Sequence, residues 1–416
     1  MKAADAVSSP PSESGTWSDW PQDTRGEFLV GGQPLSQVVD AAGGTPCYLY
    51  DRQRLTDRVR RLRGALSPAV RIHYAIKANP MPALVCHMAR LVDGLDVASS
   101  GELRVALDSG MAPEHISFAG PGKGEHELKQ AHAAGILVNV ESFRDVRLLA
   151  ALSRATGRPA RVAIRANLPF SLRASGMKMT GGAQQFGVDA EQVPELVAEI
   201  QRAGLTLEGF HLFAGSQNLR ADAIIEAQAR SCELALEWTE KLKVPLRSLN
   251  LGGGFGIPHT PSDKPLEVGP VLEHLNTLAG RVRAERPETE VVIELGRYLV
   301  GEAGLYVCRV LDRKLSREQV FLVTDGGMHQ HLAASGNFGQ VIRKNYPVAV
   351  NGAPTEAEVA SVVGPLCTPL DLLADKARLG AAKEGDLVVV FQSGAYGRTA
   401  SPRDFLGHPE PREALV

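Results

Sequence analysis

Between residues 50 and 300 the chain repeats one pattern: a short apolar run, a glycine-containing loop, then a stretch with apolar residues three and four apart. The runs IHYAI (72–76), GLDVA (94–98), ISFAG (116–120), LVNVE (137–141), RVAIRAN (161–167), LEGFHLFA (207–214), SLNLGGG (248–254) and VVIELG (291–296) have strand length and composition. The segments between them, PALVCHMARLV and ELVAEIQRAG among them, carry helical spacing and stop at a glycine or the next strand. Eight such units in series predict a (β/α)8 barrel. An open doubly wound sheet is the alternative, but eight consecutive units suit closure better.

Past residue 300 the texture changes. LYVCRVLDRKL, QVFLVTDGG, YPVAVN, ASVVGPLC and DLVVVFQSG are β-branched runs broken by turns, which predicts a mostly antiparallel β-domain over 301–416. Residues 26–50 are expected to lend that domain a strand before the chain enters the barrel at 51–300. Residues 1–25, rich in Ser, Pro and Asp and without an apolar core, read as a flexible tail and not a signal peptide.

Length and composition agree with two domains: 416 residues, 44% of them hydrophobic, can bury a large core. A net charge of -2 gives no electrostatic footprint for nucleic acid or an anionic membrane. The most apolar stretch, 291–311, is interrupted by Glu294, Arg297, Glu302 and Arg309, so it is not a membrane span. Five cysteines, far apart and without CxxC spacing, suggest reduced thiols in a cytoplasmic protein, not a disulfide framework or zinc site.

Candidate chemistry starts at RIHYAIKANP (71–80). Ile72, Tyr74 and Ile76 fall on one side of this run, Ala75 and Lys77 on the other. A lysine at a strand end ordinarily extends its ammonium into water, so only a constellation gives it chemistry. Barrel enzymes build their sites at the carboxyl ends of the strands. Those ends here carry Asp96, Arg165, His211, Ser216, the glycines Gly252, Gly253 and Gly254 of LGGGFG, Glu294 and Arg297. Singly each has an ordinary role, as a turn residue or a local ion pair. Together they supply an amine for a Schiff base, a glycine nest with serine and arginine for a phosphate, and a carboxylate for a pyridinium proton. These are the parts that pyridoxal 5'-phosphate requires.

The motifs YAIKANP, LDVASSGEL, HLFAGSQ, LGGGFGIP, ELGRYLV, GPLCTPLD and SGAY occur in an order that resembles the fold type III pyridoxal-phosphate decarboxylases, the group of ornithine and diaminopimelate decarboxylases. The resemblance runs from about residue 28 to 416. Through HLAASGNFGQVIRKNYPVA and VVGPLCTPLDLLAD the chain looks most like the exosortase A system-associated members, and it is also similar to decarboxylases acting on an amino-acyl carrier protein. The resemblance implies an alanine-racemase-like barrel and a homodimer with shared sites. It implies that Lys77 carries the cofactor covalently and that Glu294 bonds the pyridine nitrogen. Ser216, Gly252 to Gly254, Gly296, Arg297 and Tyr396 would hold the phosphate, with Asp96, Glu102 and Arg165 as the surrounding polar shell. Cys367 would enter the partner's site as proton donor.

Glu294 opposite the ring nitrogen favours its protonated form, which suits decarboxylation of an amino acid better than racemisation. Two departures from the family pattern bear on specificity. Phe213 stands where a ring-stacking histidine is usual, with His211 two residues earlier. Cys367 is followed by Thr368, where relatives that bind a distal ammonium carry an acid. Asp325 and Asp371 remain as acids for the substrate, and Arg343 and Tyr346 stand near where diaminopimelate enzymes use an Arg and a Tyr. The expected substrate is a small amino acid, carrier-protein-linked or otherwise neutral at its far end, with a free diamino acid as the alternative.

Overall fold

The computed structural model describes residues 19–170, 177–178, 180–260, 262–338, 340, 343–352 and 356–416. Eight parallel strands form the barrel: β1 (Val70–Ala75), β2 (Gly94–Val97), β3 (Ile116–Phe118), β4 (Leu137–Val140), β5 (Arg161–Asn167), β6 (Thr206–His211), β7 (Ser248–Gly253) and β8 (Glu290–Leu295). Each pairs with the next, β8 returns to β1, and the β4–β5 pairing completes the ring. Every run read as a strand in this region is one. The period-two alternation explains why: Ile72 and Tyr74 are fully buried against the helical layer, while His73 and Ala75 face the barrel interior.

Local signals set the helix ends. Asp51 accepts from the Arg54 amide at the start of Arg52–Ala65, and Ser142 accepts from Asp145 at the start of Phe143–Thr156, which stops at Gly157 in the left-handed conformation (φ +69°). The apolar stretch after residue 290 becomes β8, one turn of helix and then strand Gly304–Ser316. No helix among the described residues is long and apolar enough to cross a membrane.

Strand Gly304–Ser316 is the spine of the second sheet. It pairs antiparallel with Cys47–Tyr50, Gln319–Thr324 and Leu387–Val390. The sheet is mostly antiparallel, with two parallel pairings: Ala357–Val363 on Gln319–Thr324, and Arg412–Leu415 on Cys47–Tyr50. Its outer face closes a separate small core around Trp20, Phe28, Leu305, Val307 and Phe391. Trp20 corrects the expected extent of the tail. It is 3% exposed with the Arg54 guanidinium 4.4 Å from its ring centroid, so the chain is anchored to the fold at Trp20 through apolar burial. The rest of the expected tail lies outside the described residues.

Candidate active site

Strand β1 ends at Ala75, and Ile76–Ala78 form a single 3-10 turn that carries Lys77 to the barrel mouth. Lys77 stands in a cavity of about 280 Å3, reachable by solvent and bounded by Phe213, Ser216, Gly254, Glu294, Arg297 and Tyr396. Gly296 and Phe338 complete its rim. The turn is fixed from the β-domain. Asn79 Nδ2 donates to the Gly394 carbonyl (3.0 Å), the Tyr396 amide donates to the Ala78 carbonyl (2.8 Å), and the Tyr74 hydroxyl donates to the Asn79 carbonyl (2.8 Å). KANP and SGAY, more than 300 residues apart, are therefore one structural unit. Tyr396 adopts φ +53°, a conformation that non-glycine residues rarely occupy.

Glu294 is the electrostatic centre. Its Oε2 lies 3.1 Å from His211 Nε2 and 3.4 Å from Asn250 Nδ2. Burial alone would raise its pKa, but His211, with Lys77 and Arg165 behind it, holds the carboxyl far below the usual range. For Lys77 burial works downward, while Tyr396 and Glu294 outweigh it and raise the ammonium above its ordinary value. The Lys77 Nζ is 5.7 Å from the centroid of the Phe213 ring.

Asp96 and Arg165 lie deeper in the barrel wall. Asp96 Oδ1 accepts from the Ser117 hydroxyl (2.6 Å) and sits 3.0 Å from His73 Nδ1, while its buried Oδ2 has no partner among the described residues. Arg165 donates to Glu141 Oε1 (3.0 Å) with its guanidinium 5.0 Å from the Phe186 centroid. Glu102 caps its own helix by accepting from the Ala98 amide (2.7 Å), and burial pushes its carboxyl upward.

The glycine triplet is forced by close packing. A Cβ on Gly253 would fall 1.7 Å from the Glu294 carbonyl oxygen, and one on Gly254 2.0 Å from that of Gly215. Among the described residues only Gly254 of the three borders the cavity, and the Gly252 amide is committed to Asn250 Oδ1 (2.8 Å). The expectation of a three-amide phosphate nest is corrected accordingly: Gly252 shapes the loop. Arg297 follows at the end of β8. Its Nη1 lies 3.2 Å from His259 Nε2, its guanidinium is 4.6 Å from the Tyr396 centroid, and its buried Nε has no partner among the described residues. Burial, then the Arg297 charge, hold His259 well below its usual pKa, so its neutral Nε2 accepts from Arg297.

The acids offered for substrate are engaged elsewhere, which corrects their expected role. Asp325 accepts from the Thr45 hydroxyl (2.5 Å) and the Arg309 amide (2.8 Å). Asp371, 3% exposed, accepts from the amides of Met328 (2.6 Å) and Leu366 (2.8 Å). Both hold β-domain loops together. Arg343 donates to the Leu372 carbonyl (2.5 Å), and Tyr346 stacks on His259 with centroids 4.7 Å apart. All five cysteines are free; Cys367 is exposed on a turn where the Thr368 amide donates to the Leu366 carbonyl (2.8 Å). Neither borders the cavity of its own chain. Sequence reasoning missed the contacts of His211, His73, Asn250 and His259. Alternation offered one signal, since His211 and Phe213 are two positions apart on one strand end.

A lysine amine faces an ionised, buried carboxylate, and a serine, a glycine edge and an arginine with an unpartnered Nε stand beside it, which fits the aldehyde, ring nitrogen and phosphate of pyridoxal phosphate. Barrel and site thus define a pyridoxal-phosphate enzyme. The model for the pyridoxal-binding domain of the pyridoxal-dependent decarboxylases matches residues 52–301. The chain is 38% identical over 383 residues to the L-glutamyl-[BtrI acyl-carrier protein] decarboxylase of Niallia circulans, covering 89% of this chain and 88% of that protein. It is 31% identical to the diaminopimelate decarboxylase of Aquifex aeolicus, over 94% and 91% of the two chains. The crystal structure of Helicobacter pylori diaminopimelate decarboxylase complexed with L-lysine superimposes with a TM-score of 0.81 at 26% identity, over 92% of this chain and 94% of that one. The chain belongs to the pyridoxal-dependent decarboxylase family, and it is a pyridoxal-phosphate-dependent amino-acid decarboxylase.

Proposed function

We propose that the enzyme removes the α-carboxylate of an amino acid whose distal end is neutralised as a carrier-protein thioester. The observation that carries this reading is the fate of the nearby acids. Thr368 is neutral, and Asp325 and Asp371 spend their carboxylates on β-domain amides and a hydroxyl, so none of the three is free to pair a distal ammonium. A buried ammonium without a partner costs several kcal/mol. The 38% identity to a carrier-protein-linked glutamyl decarboxylase supports the same substrate class. Free diamino-acid decarboxylation is the second reading, favoured by the similarity to diaminopimelate decarboxylases.

In this reading Lys77 binds the cofactor covalently, Glu294 holds a proton at its ring nitrogen, and Phe213 covers one ring face. Ser216, Gly254, Gly296, Arg297 and Tyr396 hold its phosphate. When bound, pyridoxal phosphate accepts the electron pair left as the Cα–carboxylate bond breaks and CO2 departs. Cys367 of a second subunit returns a proton to Cα, so the working unit is a homodimer; the exposure of Cys367 away from its own cavity supports this. The barrel at 51–300 binds the cofactor, and the β-domain at 301–416 with strand 26–50 supplies the dimer loop. Five free thiols suit a cytoplasmic setting.

The test is CO2 release by purified enzyme from a panel of amino acids, free and carrier-linked. Preferred turnover of a carrier-linked amino acid is expected. Efficient turnover of free lysine, ornithine or meso-diaminopimelate, at about 10⁴ M⁻¹s⁻¹ or better, would replace this reading with the second.

A further inference from the structure

A second cavity, about 700 Å3 in volume, is linked to the first by a chain of side-chain contacts. Arg297 lines the small cavity, Tyr346 lines the large one, and His259 joins them, stacked on Tyr346 and bonded to Arg297. The larger cavity is cationic. Arg343, Lys344 and Arg378 line it against a single carboxylate, Asp375. Arg343 is committed to the Leu372 carbonyl. Lys344 and Arg378 are both exposed, and among the described residues neither side chain has a carboxylate within ion-pair distance. Thr260 and Ser262 add hydroxyls on the barrel side.

Two unpaired cations with hydroxyl neighbours in a cavity of this size form a site for a phosphate group. The mechanism of decarboxylation makes no use of it: the reacting amino acid and the cofactor occupy the space next to Lys77. A carrier-linked amino acid, however, brings its own phosphate, because the flexible arm that bears the thioester is joined to the carrier through a phosphodiester. We infer that Lys344 and Arg378 bind the phosphodiester of a phosphopantetheine arm while the aminoacyl end reaches past Tyr346 and Arg297 toward Lys77. This inference rests on the carrier-linked reading above, and it adds the subsite that recognises the arm. It also accounts for the cation pair lying on the β-domain side, outside the cofactor site.

The experiment is calorimetric titration of the pyridoxal-phosphate-loaded enzyme with 4'-phosphopantetheine and with pantetheine, which differ only by the phosphate. Wild-type enzyme is expected to bind the phosphorylated probe about tenfold tighter, a preference that weakens with added salt. The Lys344→Glu/Arg378→Glu variant should bind both probes alike, whereas Lys344→Arg/Arg378→Lys should keep the preference; an unchanged cofactor absorbance shows that each variant is folded. Equal binding of the two probes by wild type, or a preference that survives the charge reversal, would overturn the inference. A preference that needs both cations, in an enzyme that turns over no carrier-linked amino acid, would overturn the substrate reading and leave the phosphate site standing.

Discussion

The Nε2 atom of His211 lies 3.1 Å from Oε2 of Glu294, and both side chains are shielded from water inside the barrel, at 1% and 7% exposure. Burial by itself would favour the neutral acid at Glu294, and a neutral acid there could not hold a proton on the cofactor ring as its counter-ion. His211 tips that balance, with Lys77 and Arg165 assisting. Phe213, two residues on, borders the Lys77 cavity, whereas the His211 imidazole meets the Glu294 carboxylate.

His211→Leu should therefore raise the Glu294 pKa. The acid limb of the kcat/KM profile is expected to move to higher pH by about one unit or more, a loss of about tenfold on the acid side, with the alkaline limb in place. The stability effect has a defined sign. Because the folded pKa of Glu294 is depressed, its ionised form contributes stability above the unfolded-state value and loses it as pH falls through the folded one. The variant should be less stable than wild type near neutral pH, with the gap closing on acidification. A pH–rate profile with an unmoved acid limb would show that Glu294 stays ionised without His211.

The docking of KANP on SGAY gives a second prediction. Asn79 is 5% exposed, donates to the Gly394 carbonyl and accepts from the Met81 amide. Asn79→Ala leaves the buried Gly394 carbonyl unpaired, which costs about 1–3 kcal/mol, and frees the half-buried Met81 amide at a smaller cost. Denaturant unfolding should register that loss. Because the Tyr396 amide is held by the next carbonyl back, Ala78, cofactor affinity should fall as well. A variant with wild-type stability and wild-type cofactor affinity would show that the two motifs hold together without this side chain.

The barrel was legible because its eight strands are short apolar runs separated by glycine loops, a pattern that local burial alone imposes. Lys77 was legible as an anomaly at the end of one run. Strand Leu372–Gly380 was not, since LLADKARLG carries charges at the sheet edge, where an exposed strand needs no alternation of apolar residues. The contact of His211 with Glu294 spans β6 and β8 across β7, and nothing in linear spacing encodes it. Asp371 misled for the opposite reason: proximity to Cys367 in sequence suggested the site, while the turn folds its carboxylate back onto the Met328 and Leu366 amides.

The proposed shared sites predict rescue between inactive subunits. Lys77→Ala lacks the amine and Cys367→Ala lacks the proposed proton donor, yet a mixed dimer of the proposed kind recovers one site with both. Mixing the two under conditions that exchange subunits should restore part of the wild-type activity. If exchange is verified by mass tagging and activity stays absent, Cys367 either acts within its own chain or is dispensable.

Thr368 provides the sharpest handle on specificity. Its amide donates to the Leu366 carbonyl and its hydroxyl accepts from the Leu370 amide (3.3 Å), so the half-buried residue sits in a turn beside the exposed Cys367. An acid at this position would put a carboxylate on the loop that the proposed dimer carries into the partner's cavity. There it would meet the distal ammonium of a free diamino acid, and a paired ammonium avoids the desolvation cost that an unpaired one bears. Thr368→Asp or Thr368→Glu should therefore raise kcat/KM for at least one of lysine, ornithine and meso-diaminopimelate by about tenfold. The same change should cost little stability, since an acid at this half-buried turn position can still accept from the Leu370 amide. Steady-state CO2 release on the three free substrates reads the outcome, and kcat/KM values that fail to rise for all three would place the determinant of distal specificity elsewhere than Thr368.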